Sequence, residues 1–227
     1  MMKSLSLTLK QQSLKLNTRN EMKLWTIQGI DIYEQLMTEG YVFCTKPQFA
    51  DSPSFIRSYQ WMAMQMRERI GEPPIKVIEY PMWAWFQYNS AKDKKPPRNP
   101  ENIREGLSAY MEIELPQTDI LLSDFQCWHH VLNGWYITQN KILEKKIDSI
   151  DKQAGKLLGF EDYPIDIQKE IESEWPLIFD IDKQNRWFAP QRKRNKSIQA
   201  TFWMLKKENV ISTELLEKKG KIIKRVG

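Results

Sequence analysis

Two periodicities, one of two residues and one of three to four, are interleaved along this chain in no regular order. Apolar–polar alternation marks strands, because successive side chains of an extended chain point to opposite sides. Repeats of three to four mark helices with one buried stripe. Strict strand–helix alternation would predict a doubly wound parallel sheet. The irregular order predicts an α+β fold instead: a single domain with a mixed or antiparallel sheet and helices packed around it.

The domain spans residues 22–216. Lys23–Gln28 is the first strand, with Leu24, Thr26 and Gln28 on one side and Trp25 and Ile27 on the other. A short helix capped by Asp31 and closed by Gly40 leads to a second strand, Tyr41–Cys44. Ser52 followed by Pro53 starts a helix over Ser54–Ile70, since Ser accepts an orphan amide and Pro fits the first turn. Its stripe is Phe55, Ile56, Tyr59, Met62, Ala63, Met66 and Ile70, so Trp61 and Met64 must cover a second surface.

After Pro73-Pro74, a strand is expected at Ile75–Tyr80 and continues through Met82–Phe86, with Trp83 and Trp85 sharing a face. A polar loop follows over 89–100, then a short helix from Asn99-Pro100 and a strand over Tyr110–Leu115. Ser123 and Gln126 fit a capping box for a helix carrying Phe125, Trp128, Val131, Leu132, Trp135 and Tyr136. Helices are expected over 139–158 and 165–175, a late strand over Ser197–Leu205 and a short helix near Ser212.

Composition excludes several classes. Apolar residues make up 41% and charged residues 28%, which fits neither a disordered nor a collagen-like chain. No run approaches the ~18 apolar residues of a membrane span. Cys44 and Cys127 have no metal-ligand spacing, so no metal site is expected, and both read as small buried hydrophobes of a cytoplasmic protein. Residues 1–21 read as a flexible basic arm, because their leucines never merge into the apolar core of a signal peptide. Residues 217–227 read as a basic tail.

Three features carry candidate chemistry. A basic run at 183–196, including Arg192, Lys193 and Arg194, follows an acidic segment at 161–182. It reads either as a nucleic-acid patch or as a face that pairs with those acids. Asp124 and His129 sit on the capped helix, where His129 offers a general base at a pocket rim or simply satisfies a nearby backbone group. The chain also holds nine tryptophans, which fill a core or form a wall for a planar ring. Polar residues interleave with them: Thr26 and Gln28 on the first strand, Gln199 and Thr201 on the late one. A buried polar row needs partners or a ligand.

The segments Leu24–Gln28, Tyr59–Met62, Trp83–Trp85, Leu122–His129 and Gln199–Trp203 resemble a bacterial and phage domain family of unknown function, over about residues 22–216. A second resemblance is to the ADP-ribosyltransferase superfamily, particularly the toxins that modify DNA. Those begin with a strand bearing a His-any-Thr motif for NAD, followed by a helix, a Gly and another strand. Thr26 stands at the His position, Gln28 at the Thr position, and Gly40 matches the turn. The late strand, which carries the catalytic Glu in that superfamily, has Gln199 or Thr201 instead.

This resemblance implies an ADP-ribosyltransferase-like domain binding NAD or a related nucleotide. Thr26 and Gln28 would hold the nicotinamide-ribose end, and Trp83 or Trp85 would stack. Gln199 and Thr201 would line the catalytic position, and Asp124 or His129 would replace the missing acid. The alternative is a non-catalytic phage or mobile-element module that engages nucleic acid or a host protein through Arg192, Lys193 and Arg194.

Overall fold

The computed structural model describes residues 20–47, 53–98, 106–137, 140–183, 192–217 and 221–226. In chain order the elements are β1 (Glu21–Gly29), α1 (Ile30–Glu39), β2 (Tyr41–Phe43), α2 (Pro53–Ile70), β3 (Met82–Gln87), β4 (Ser108–Pro116) and β5 (Leu121–Asp124). Then follow α3 (Phe125–Leu132), α4 (Lys141–Ala154), α5 (Ile165–Glu174), β6 (Ile198–Phe202), β7 (Met204–Lys206), β8 (Val210–Leu216) and β9 (Ile222–Val226). Seven strands form one sheet in the order β5-β6-β3-β1-β4-β8-β9, and every pairing is antiparallel. β2 and β7 form a separate pair. The fold is α+β, with the five helices of the described residues packed around the main sheet.

Each face of the sheet has its own core. On the back face, Leu24, Met82, Ala84, Met111, Ile113 and Phe202 pack under Tyr33 and Leu36 of α1 and under Val42 and Leu205 of the small sheet. α1 ends where Gly40 turns into the left-handed region, φ 85°, and returns its N–H to Leu36 O. A residue with a Cβ would be strained there. On the front face, Leu121 and Trp83 meet Trp61, Met62 and Met66 of α2, Trp128 and Val131 of α3, and Trp175 beyond α5. Trp61 thus covers a second surface, as its position off the stripe requires, edge-on to Trp175 at 5.5 Å. Met64 stays exposed.

The structure corrects several expected elements. Residues 75–80 form no strand: Tyr80 makes a single bridge to Cys44, while Val77 is exposed. Prolines at 73, 74 and 81 bracket the segment, and within it Ile78 N turns back to Ile75 O at 3.1 Å instead of pairing with a strand. The late strand is broken at Trp203, whose indole turns to donate to Gly71 O at 2.9 Å, so β6 and β7 join different sheets. The helix expected near Ser212 is strand β8, in which β-branched Val210, Ile211 and Thr213 complete the open edge of β4.

Asp124, one residue after the expected Ser123, caps α3. Residues 222–226 of the expected tail form β9 and extend the sheet beyond residue 216. The basic arm lies outside the described residues except at its end, where β1 starts at Glu21. The short helix from Asn99 also lies outside them.

Candidate functional site

Cross-strand register assembles a row that no sequence window contains. Ser123 faces Gln199, Gln199 faces Trp85, Trp85 faces Trp25, Trp25 faces Glu112 and Glu112 faces Ser212. Because directly opposed residues share a face, all six lie on the front. Leu121, Thr201 and Trp83 form the next row, also on the front.

The two ends of the first row differ in how their polar groups are met. At the β1–β4 end, Trp25 Nε1 donates to Glu112 Oε2 at 3.1 Å. Lys23 and Lys95 reach the same carboxylate at 2.7 and 3.1 Å. Hydrogen bonds from these groups, Lys23 foremost, hold the Glu112 carboxyl down at about 2. Residues 95–98 lie over this end. Lys95 stacks on Trp25, Tyr110 Oη donates to Pro96 O at 3.0 Å, and Arg98 pairs with Glu214. Burial pushes the Tyr110 hydroxyl up to about 12.

At the β3–β6–β5 end, three buried polar atoms have no hydrogen-bond partner: Trp83 Nε1, Gln199 Oε1 and Ser123 Oγ. Ser123 and Gln199 are direct register partners, and Trp83 pairs with Thr201 on the same face. Aromatic rings surround them. Trp83 lies 5.0 Å from Trp128 and edge-on to Tyr59 at 5.8 Å. Trp85 meets Tyr88 at 4.9 Å and Phe125 at 4.8 Å, both edge-on, and is only half-buried. Buried polar groups without partners cost about 1–3 kcal/mol each, so three on neighbouring rows of one face mark a place with unused hydrogen-bonding capacity. Arg57 also has two such nitrogens, but its guanidinium is held over Phe160 at 4.0 Å and paired with Glu161, and Ser108 Oγ at the start of β4 is a single unpartnered hydroxyl outside the first row.

The sequence-predicted residues divide as follows. Trp83, Trp85, Gln199 and Thr201 come together on the front face. Thr201 is committed internally, donating to Leu121 O at 3.2 Å. Thr26 and Gln28 lie on the back face: Thr26 Oγ1 donates to Trp83 O at 2.9 Å and accepts from Gln28 Nε2 at 2.8 Å. β3 stands between β1 and β6, so the expected single cleft of Thr26, Gln28, Gln199 and Thr201 does not form.

Asp124 and His129 also work separately. Asp124 Oδ1 accepts from Gln126 N and Cys127 N, capping α3, and Oδ2 pairs with Lys196 Nζ at 3.0 Å, both side chains buried. His129 Nδ1 lies 2.9 Å from Phe125 O, and the exposed ring stands edge-on to Phe125 at 4.5 Å. Cys127 is a buried thiol pushed up to about 12 by burial and, secondarily, by Asp124.

In the basic run, Lys193 pairs with Asp182 at 3.0 Å and Lys183 with Asp180 at 2.8 Å, so part of it does meet the preceding acids. Arg192 and Arg194 are exposed and make no ion pair among the described residues. Residues 184–191 of the run lie outside the described part.

Ser123 was missed at the sequence level. Ser and Asp are both good caps, and choosing the first of the pair assigned away the hydroxyl that remains unpartnered. Among the described residues no three His, Cys, Asp or Glu side chains group to hold a metal ion, and no helix is long and apolar enough to cross a membrane. An open groove between α4 and α5, lined by Ile142, Ile150 and Ile167, contains none of the predicted residues.

No curated protein and no solved structure matches the chain. A family model does match, over residues 23–211, a span that takes in the front-face row from Ser123 through Glu112 and stops just short of Ser212. The chain therefore belongs to the family described as domain of unknown function DUF3841.

Proposed function

We propose that the domain binds a nucleotide-type ligand, NAD or a relative, at the β3–β6–β5 end of the front face. The observation that carries this reading is the set of three unpartnered atoms among aromatic rings. Their chemistry is one donor (Trp83 Nε1), one acceptor (Gln199 Oε1) and one group that does either (Ser123 Oγ). That set complements an amide edge, such as the nicotinamide carboxamide, or the amino-and-ring-nitrogen edge of adenine. The planar ring enters past half-buried Trp85, between Tyr88 and Phe125.

The domain binds its ligand without transferring a group from it. Gln199 and Thr201 stand where the transferase resemblance needs a glutamate, and Asp124 is already occupied by its helix and by Lys196. Thr26 and Gln28 support β3 from behind and take no part in holding the ligand.

The test is thermal unfolding and tryptophan fluorescence with NAD, nicotinamide or AMP added. At saturation, a ligand present at 100 times its dissociation constant stabilises the fold by about 2.7 kcal/mol. The gain should disappear in Gln199→Leu, which removes the acceptor while leaving Trp85 in place. If none of the three ligands raises the melting temperature or quenches fluorescence, the reading is wrong.

A further inference from the structure

We infer that the loop after β3 and the loop before β6 form one cationic surface that holds the backbone of a single-stranded nucleic acid, delivering a base to the Trp85 site. This inference rests on the nucleotide-binding reading above and names the form in which the nucleotide arrives.

The two loops are far apart in the chain but bonded together in space. Ala91 N donates to Arg194 O at 2.7 Å. Gln87 Nε2 donates to Lys193 O at 2.8 Å and to Lys196 O at 2.6 Å. Lys196 is buried against Asp124, so the second loop is anchored to the N-terminus of α3. The paired loops therefore form one rim.

Its charges fall into two groups. Lys95, Arg98 and Lys193 are tied to Glu112, Glu214 and Asp182. Lys92, Lys94, Arg192 and Arg194 are exposed and make no ion pair among the described residues, and Lys94 lies 5.2 Å from the centre of the Phe86 ring. Asp93 is the one acid within 88–98 and 192–196, and it accepts from Asn89 Nδ2 at 2.9 Å. The rim thus presents a clear excess of unpaired cations, and Tyr88, at its start, touches Trp85.

Cations beside an aromatic site match a phosphodiester backbone with bases that can leave the stack. In a duplex, pairing occupies the base edges that Ser123, Gln199 and Trp83 would meet, so a single strand is the form that fits.

The test measures binding of the full chain to an end-labelled mixed-sequence single strand, as DNA and as RNA, and to the matching duplex, by anisotropy across a salt series. The expected result is single-strand binding that beats the duplex and weakens steeply with salt. Lys92→Gln with Lys94→Gln, and separately Arg192→Gln with Arg194→Gln, should each flatten the salt slope by about 0.7 per cation removed. These side chains are exposed, so folding should be unaffected.

Absent binding, equal preference for duplex, or a Lys92/Lys94 pair without effect would each overturn the inference. Free NAD or AMP that binds while the oligonucleotide binds no tighter overturns the inference and leaves the nucleotide site standing. Oligonucleotide binding that depends on the four cations but ignores Gln199→Leu removes the nucleotide site and, with it, delivery of a base.

Discussion

One row of side chains crosses the front of the sheet, and its two ends solve the same problem differently. At the β1–β4 end, an indole N–H, a carboxylate and two ammonium groups satisfy one another, and residues 95–98 close over them. At the β3–β6–β5 end, an indole N–H, an amide oxygen and a hydroxyl lie among rings with nothing to bond to. Both ends put tryptophan beside polar groups, so composition and local pattern look alike. Only the hydrogen-bond accounting separates a finished structural cluster from one with capacity to spare.

Substitutions at the two ends test that contrast. The largest effect is expected from Asp124→Ala, which removes the α3 cap and leaves buried Lys196 without its counter-charge, its ammonium keeping only the Lys183 carbonyl at 2.9 Å. Leaving one member of a buried pair uncompensated costs about 3–5 kcal/mol, readable from urea unfolding. A loss below about 1 kcal/mol would mean that the pair does not anchor the β6 loop.

Next is Glu112→Gln at the satisfied end, expected to cost about 1.5–3 kcal/mol because it weakens charge-assisted hydrogen bonds. The same group gives a pH signature. Its carboxyl is depressed from an ordinary 4.5 to about 2, so its stabilisation is complete above about pH 4.5 and is lost as the pH falls toward 2. Acid unfolding of Glu112→Gln should lack that component. An unchanged acid transition would refute the assignment.

A smaller effect is expected from paired indole substitutions. Trp25→Phe removes a hydrogen bond to a charged carboxylate, whereas Trp83→Phe removes an N–H that has no partner. Both lose similar apolar area, so Trp25→Phe should be the more damaging by about 1 kcal/mol. Equal losses would erase the distinction between the two ends.

The smallest is Ser123→Ala, expected to be neutral or slightly stabilising without ligand, since it removes an unsatisfied hydroxyl. A destabilisation above about 1 kcal/mol would show that Ser123 already has a structural partner and would weaken the case for a site.

Much of this was legible in the sequence, for reasons that follow from range. The alternation in Trp83-Ala84-Trp85 correctly put both indoles on one face, because side-chain direction along a strand is a local property. The start of α2 near Pro53, the exclusion of a regular parallel architecture and the second contact of Trp61 follow from local chemistry in the same way. Ser123 escaped because two capping residues stand side by side. The tail escaped because Ile222–Val226 becomes a strand only where β8 offers it an edge. The break at Trp203 depends on Gly71, which is remote in sequence.

Local pattern along the chain was enough for the class of fold, for the faces of the individual strands and for the tryptophans and polar residues that could share a site. The tertiary structure decided which of them meet. By pairing Trp25 with Trp85 and Trp85 with Gln199, it left Thr26 and Gln28 on the back of the sheet and brought Ser123, Gln199, Trp83 and Trp85 together on the front. The physical reason is that side-chain alternation is set by each residue's own backbone. Strand order and register are set by the burial of whole faces and the pairing of whole edges, which no short segment encodes.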